Sequence, residues 1–167
     1  MAAADSIVME IDQESKVTQR VLDRIPEDKL TWKPHPKSSS LGQLSLHLAV
    51  AQGRLASIVT KDTHDLGAGP TPPAQPASRK EILDAFSQGT ADAKESLKKL
   101  DDSQLMANWT LTKDGKVLMS VPRIGFIRSI VLNHIYHHRG QLSVYLRLLE
   151  VPVPSIYGPS ADENPFA

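Results

Sequence analysis

In the segment NHIYHHRGQLSVYLRLLE, residues 133–150, three of the chain's six histidines fall within five positions, at His134, His137 and His138. His134 and His138 are four residues apart, one helical turn, so on a helix their rings project from one face and can reach a single ion. The apolar residues around them, Ile124, Ile127, Val131, Leu142, Tyr145 and Leu149, recur at steps of three and four. That period predicts an inward stripe with both histidines on it. His47 falls on the apolar arc of an earlier predicted helix, with Leu44, Leu48, Ala51, Leu55 and Ile58. If those two helices are neighbours, three imidazoles converge. A His₃ set leaves the fourth tetrahedral position to water or substrate.

Plain packing is the competing explanation. A histidine on an apolar face is more often a neutral core residue with one hydrogen bond than a ligand. Two or three inward imidazoles without a metal, however, each need partners for two ring nitrogens among hydrocarbon. A cation satisfies them together, and imidazole accepts zinc, nickel, copper or iron. His137 points about a quarter-turn off the stripe; it supports a ligand, faces a substrate or lies partly exposed, and the sequence does not choose. His35 and His64 fall in predicted loops and are assigned to solvent. Glu14, on the inward side of the first helix, is a candidate to orient a ligand histidine.

Several chemistries are excluded. Ile135 follows His134, where a zincin helix needs its glutamate base. No G-x-S-x-G elbow is present, and the absence of cysteine removes thiolate ligands, a cysteine nucleophile and disulfides. Paired glutamates with E-x-x-H motifs, the di-iron pattern, are also missing. Lysine plus arginine balances aspartate plus glutamate at 19 each, with no basic stripe, which disfavours nucleic acid. The first 16 residues lack a basic leader with an apolar run, and no stretch approaches a bilayer span. The expectation is a soluble, cytoplasmic protein that makes no membrane contact.

These groups must be positioned by a chain of 167 residues, the size of one domain, 1–167. Ile7, Ile11, Thr18, Val21, Leu22 and Ile25 predict a first helix ending before Pro26. Ser40 and Gln43 form a capping box that opens the second, and Ser78 with Glu81 opens the third. Between them, DLGAGPTPPAQPAS reads as a loop because its prolines and glycines break both helix and ladder. Asp114-Gly115 between β-forming runs predicts a hairpin. Ser120 is the expected cap of the last helix, with Pro122 in its first turn. The tail after Glu150 is proline-rich, and its apolar residues are expected to pack on the helices. The sum is an all-α four-helix bundle with a short β-hairpin or irregular insertion before the last helix.

Beyond these patterns, the sequence resembles the DinB family of the DinB/YfiT-like superfamily over nearly its whole length. The resemblance is carried by LTWKPHPKSSSLGQLSLHLA leading to His47, by NHIYHHRGQLSVYLRLLEVPVPSIYGPSADE, and by the proline-rich loop. It implies an up-down-down-up helix arrangement, a homodimer, and a divalent metal such as zinc or nickel on a histidine triad. The family's first ligand falls on His47 and its H-x-x-x-H pair on His134 and His138. Arg139, Gly140 and Gln141 follow the last ligand. Arg139 is expected either to pair with a carboxylate or to end in solvent. Gly140, costing about 1 kcal/mol of helix propensity, suggests close approach of a neighbouring helix or chain. Relatives in the superfamily include bacillithiol S-transferases and mycothiol-dependent isomerases, which implies a low-molecular-weight thiol as cosubstrate. A metal-dependent hydrolase, and a non-catalytic dimeric stress-response module with a structural metal, are the alternatives.

Overall fold

A computed structural model describes residues 2–67, 69 and 74–166. Part of the proline-rich loop lies outside the described residues. The protein is mostly helical with a small three-stranded sheet: α1 (Ala3–Leu22), α2 (Leu41–Ile58), β1 (Thr63–Asp65), α3 (Arg79–Lys98), α4 (Asp102–Met106), β2 (Asn108–Lys113), β3 (Lys116–Pro122), α5 (Arg123–Phe126) and α6 (Asn133–Leu148). Among the described residues no helix is long and apolar enough to cross a membrane.

The helix starts follow their caps. Ser40 Oγ accepts from the Gln43 amide, while Gln43 Oε1 accepts from the Ser40 amide, the reciprocal box of the sequence. Ser78 caps α3 in the same way, but Glu81 reaches the Ala77 amide instead. Ser120 does not cap the last helix. It belongs to β3, opposite Thr110, and the helix begins at Arg123 after Pro122.

The hairpin forms as its turn dictates. Asp114 and Gly115 both take positive φ, 51° and 76°, as a two-residue turn matched to strand twist requires. A third strand was not legible. β1 pairs in parallel with β2 over Thr63, His64 and Asp65, so His64 is half-buried in a strand and not in a solvent loop. Three residues are too few to show alternation. Asp65 secures the strand by accepting from the Gly67 amide and the Thr112 hydroxyl, both at 2.8 Å. Trp109, fully buried, donates to the Ile58 carbonyl and packs on Phe126, joining the sheet to the helices. Arg123 completes the joint from a buried position. Its Nε donates to the Val59 carbonyl at 2.6 Å and its guanidinium pairs with Asp62.

α2 packs against α3 and α6, and α1 against the same two helices. Contact between α2 and α3 is backbone to backbone. A Cβ on Gly53 would lie 2.7 Å from the Gly89 carbonyl oxygen, and one on Gly89 would lie 2.5 Å from that of Ala49. Gly89→Ala is therefore expected to destabilise by about 1–3 kcal/mol in urea denaturation, against alanine's better helix propensity. A stabilised variant would mean the helices can part freely.

Between α5 and α6 the backbone runs as a π-helix over Ile127–Leu132, continuous with both. Each π turn takes up an extra residue. Ile127 and Val131 are buried as predicted, but beyond the π turn the inward stripe is Ile135, Arg139, Leu142 and Leu146. Leu142 is inward as expected, but the places expected for His134, His138 and Tyr145 pass to Ile135, Arg139 and Leu146, each one residue on. Both histidines stand half-buried at the stripe's margin.

Candidate metal centre

His47 comes from the first half of α2, and His134 and His138 from consecutive turns at the start of α6, facing α2 across the helix pair. The structure brings the three rings together. Their centroids are 4.9 Å (His47–His134), 4.7 Å (His47–His138) and 4.3 Å (His134–His138) apart. One ring nitrogen from each lies within 4.8 Å of the others, and Nε2 of His47 is 2.8 Å from Nε2 of His134. Ligand nitrogens around a tetrahedral ion with bonds of about 2.0–2.1 Å sit about 3.3 Å apart, a spacing the observed range brackets. The donor set fits such a cation with small ring movements.

The electrostatics favour neutral rings. Burial lowers the His134 pKa to about 4, with further lowering from His138, His47 and His137. His47 is lowered by burial and then by the Arg54 charge. Burial lowers His138 too, against an opposing hydrogen bond from Gln141. That bond, 2.7 Å from His138 Nδ1 to Gln141 Oε1, also sets the tautomer. The amide oxygen only accepts, so the proton sits on Nδ1 and Nε2 keeps its lone pair. Neutral imidazole with a lone pair is the form a metal takes.

In metal-free protein these shifts carry a stability consequence. Between the unperturbed 6.5 and the folded value of about 4, unfolded chains bind a proton at position 134 that folded chains do not. Folding therefore weakens as pH falls through that window, and above it His134 contributes no slope. Denaturation midpoints of chelator-treated protein, followed from pH 7 to 4, are expected to drop less steeply in His134→Ala than in wild type. Parallel curves would refute the shift.

The remaining sequence candidates divide. His137 is exposed, with its ring 4.9 Å from that of His138. Gln141 meets His138 as above. Arg139 does not end in solvent: it is 1% exposed and pairs with Glu14 at 2.7 Å. Glu14 accordingly turns to Arg139 and to the Tyr157 hydroxyl, which donates to it at 2.8 Å, and not to a histidine. Arg139 also donates to Thr18 Oγ1, the Glu14 carbonyl and Tyr157, and its guanidinium lies over the rings of Tyr136 and Tyr157. The displacement by the π turn explains this. Arg139 takes the inward position that an unbroken α-helix would have given to His138. Gly140 is exposed, and no neighbouring atom among the described residues comes within 4 Å of where a Cβ would stand, so no described helix approaches it. The tail does pack down, with Glu163 bridging Arg20 and Arg24 and accepting from the Ser155 amide.

Known proteins agree with this architecture. Uncharacterized protein YrdA of Bacillus subtilis (strain 168) is 26% identical over 151 residues, covering 90% of this chain and 85% of that protein. Among solved structures, a DinB-like protein from Bacillus cereus ATCC 10987 matches with a TM-score of 0.71 and 23% identity, over 92% of this chain and 97% of that one. The DinB-like protein YjoA of Bacillus subtilis matches at 0.69 and 20% identity, over 90% and 96%. At such identities the structures speak for the fold alone. The family model described as the DinB superfamily matches residues 10–142, most of the chain. This chain therefore belongs to the DinB superfamily.

Proposed function

We propose that His47, His134 and His138 hold one divalent cation, zinc or nickel foremost, and leave it one exchangeable place for a small molecule. The observation that carries this reading is the gathering of three ring nitrogens from two helices within 4.8 Å. A cation held there acts as a Lewis acid that lowers the pKa of a bound thiol or water. The protein's own residues do the rest. Gln141 fixes the His138 tautomer, burial keeps the three rings unprotonated, and His137, exposed beside His138, is the imidazole free to meet a substrate.

The reaction we favour is a thiol S-transfer, in which a low-molecular-weight thiol loses its proton and its sulfur forms a bond to an electrophilic carbon as the leaving group departs with its electron pair. Water in the same place would make the protein a hydrolase. A structural ion in a dimeric stress-response module is the non-catalytic alternative. The reading further takes α1, α2, α3 and the 123–148 helix as a four-helix bundle, supported by their closed circuit of pairings. It places the protein in the cytoplasm as a homodimer. Exposed Val144 and Leu148 beside Gly140 on the outer side of α6 favour a second chain there.

Elemental analysis of purified protein tests the core of this. Wild type is expected to carry about one ion per chain and His134→Ala almost none; equal, negligible contents would end the reading in favour of packing. With cobalt in the site, bacillithiol, mycothiol or glutathione should alter the visible spectrum. An unchanged spectrum would make the ion structural. Thiol-dependent turnover of epoxide or chlorinated acceptors to the thioether, absent from the apo protein, distinguishes transfer from hydrolysis.

A further inference from the structure

A groove of about 550 Å³ runs between α2 and α3, within the size range of about 300–1,000 Å³ typical of small-molecule sites. Its floor is the close crossing of Gly53 and Gly89, and its α2 wall is Val50, Arg54 and Ser57. Arg54 is seven residues beyond His47, which at about 100° per residue brings it within about 20° of the same face of α2. Val50 lies between them. Helical side chains lean toward the N-terminus, so the Arg54 side chain slants back toward His47.

Arg54 also differs from the other seven arginines of the chain. Arg20, Arg24, Arg123, Arg128, Arg139 and Arg147 each pair with a carboxylate. Arg79 donates to the carbonyls of Asp23 and Ile25. Among the described residues Arg54 alone has neither kind of partner. The acids on the opposite wall are already engaged: Asp92 accepts from Gln88 at 2.7 Å and Glu95 from Lys99 at 2.8 Å. Among its described lining residues the groove thus presents one free cation, two helical turns along α2 from His47.

We infer that this groove seats a carboxylate-bearing small molecule, with its carboxylate on the Arg54 guanidinium and its other end directed to the His47, His134 and His138 cluster. A planar guanidinium donates two parallel hydrogen bonds to a carboxylate, a geometry that a point charge does not offer. The part of the inference that concerns the far end rests on the cation reading above; the carboxylate seat does not.

The test uses two probes that differ only at the terminus away from sulfur, ω-mercaptohexanoate with a carboxylate and ω-mercaptohexanol with a neutral hydroxyl, titrated into the cobalt-loaded protein while its visible spectrum is followed. Wild type is expected to bind the carboxylate about tenfold more tightly, the equivalent of one charge-assisted contact, and Arg54→Gln to bind both alike. Arg54→Gln should keep the wild-type cobalt spectrum and melting temperature. In parallel, hexanoate added to metal-free protein should shift the amide resonances of Val50, Arg54 and Ser57. If the variant keeps the preference, or hexanoate leaves those amides unmoved, the inference is overturned even where the ion is bound. If hexanoate moves them while neither thiol alters the cobalt spectrum, the seat stands and the exchangeable coordination place falls.

Discussion

Arg139→Ala is expected to cost about 3–5 kcal/mol of folding free energy in urea denaturation, more than the loss expected at the glycine crossing. The size follows from what stays behind. Glu14 has a side chain only 16% exposed and would be left with no cation beside it, while Thr18 and Tyr157 lose a donor. Removing one partner of a buried pair leaves the other's desolvation uncompensated, whereas removing both does not. Arg139→Met combined with Glu14→Leu should accordingly recover much of the loss. Should the single variant fold within about 1 kcal/mol of wild type, the ion pair is not a buried one. Because Arg139 directly follows His138, cobalt titration of the same variants reads whether the pair also steadies a ligand ring.

The second large effect is on the ion itself. A ligand that binds only the folded state stabilises it by about 2.7 kcal/mol when its free concentration is a hundred times its Kd. Wild type in such an excess of zinc is expected to gain that amount over chelator-treated protein. His47→Ala and His138→Ala, each left with two ligands, should gain little. The three donors lie on α2 and α6, so the gain measures how firmly the ion ties those helices together. An equal gain in wild type and both variants would place zinc elsewhere on the molecule.

What could be read in the sequence was what depends on local chemistry. The caps at Ser40 and Ser78, the Asp114-Gly115 turn and the one-turn spacing of His134 and His138 each rest on neighbours within a few residues, and each is present. What failed depended on distant partners or on phase. β1 exists because Asp65 finds Thr112, and no three-residue segment can announce a partner 47 residues away. The burial of Arg139 could not be foreseen while the helix was wound at 3.6 residues per turn throughout, since that winding gives the inward place to its neighbour. The same error put the histidines in the core, and the structure sets them at its edge, where the rings remain reachable from outside. Gly140 was read as a sign of crowding, yet the crowded glycines among the described residues are Gly42, Gly53 and Gly89, which the apolar pattern of α2 and α3 does not mark out.

The wide turn at Ile127–Leu132 makes the azimuth of everything after it a matter of residue count. Tightened into ordinary α winding with the same sequence, the helix beyond would swing by about 100°, carrying both imidazoles inward and prising Ile135 and Arg139 out. Such a swing would have to give up the pair between Arg139 and Glu14. A chain shortened by one residue inside Ile127–Leu132 would simply lose the slack and keep its imidazoles aimed at α2; the same shortening between His134 and His138 would leave the two on adjoining turns but turn one of them by about 100° relative to α2.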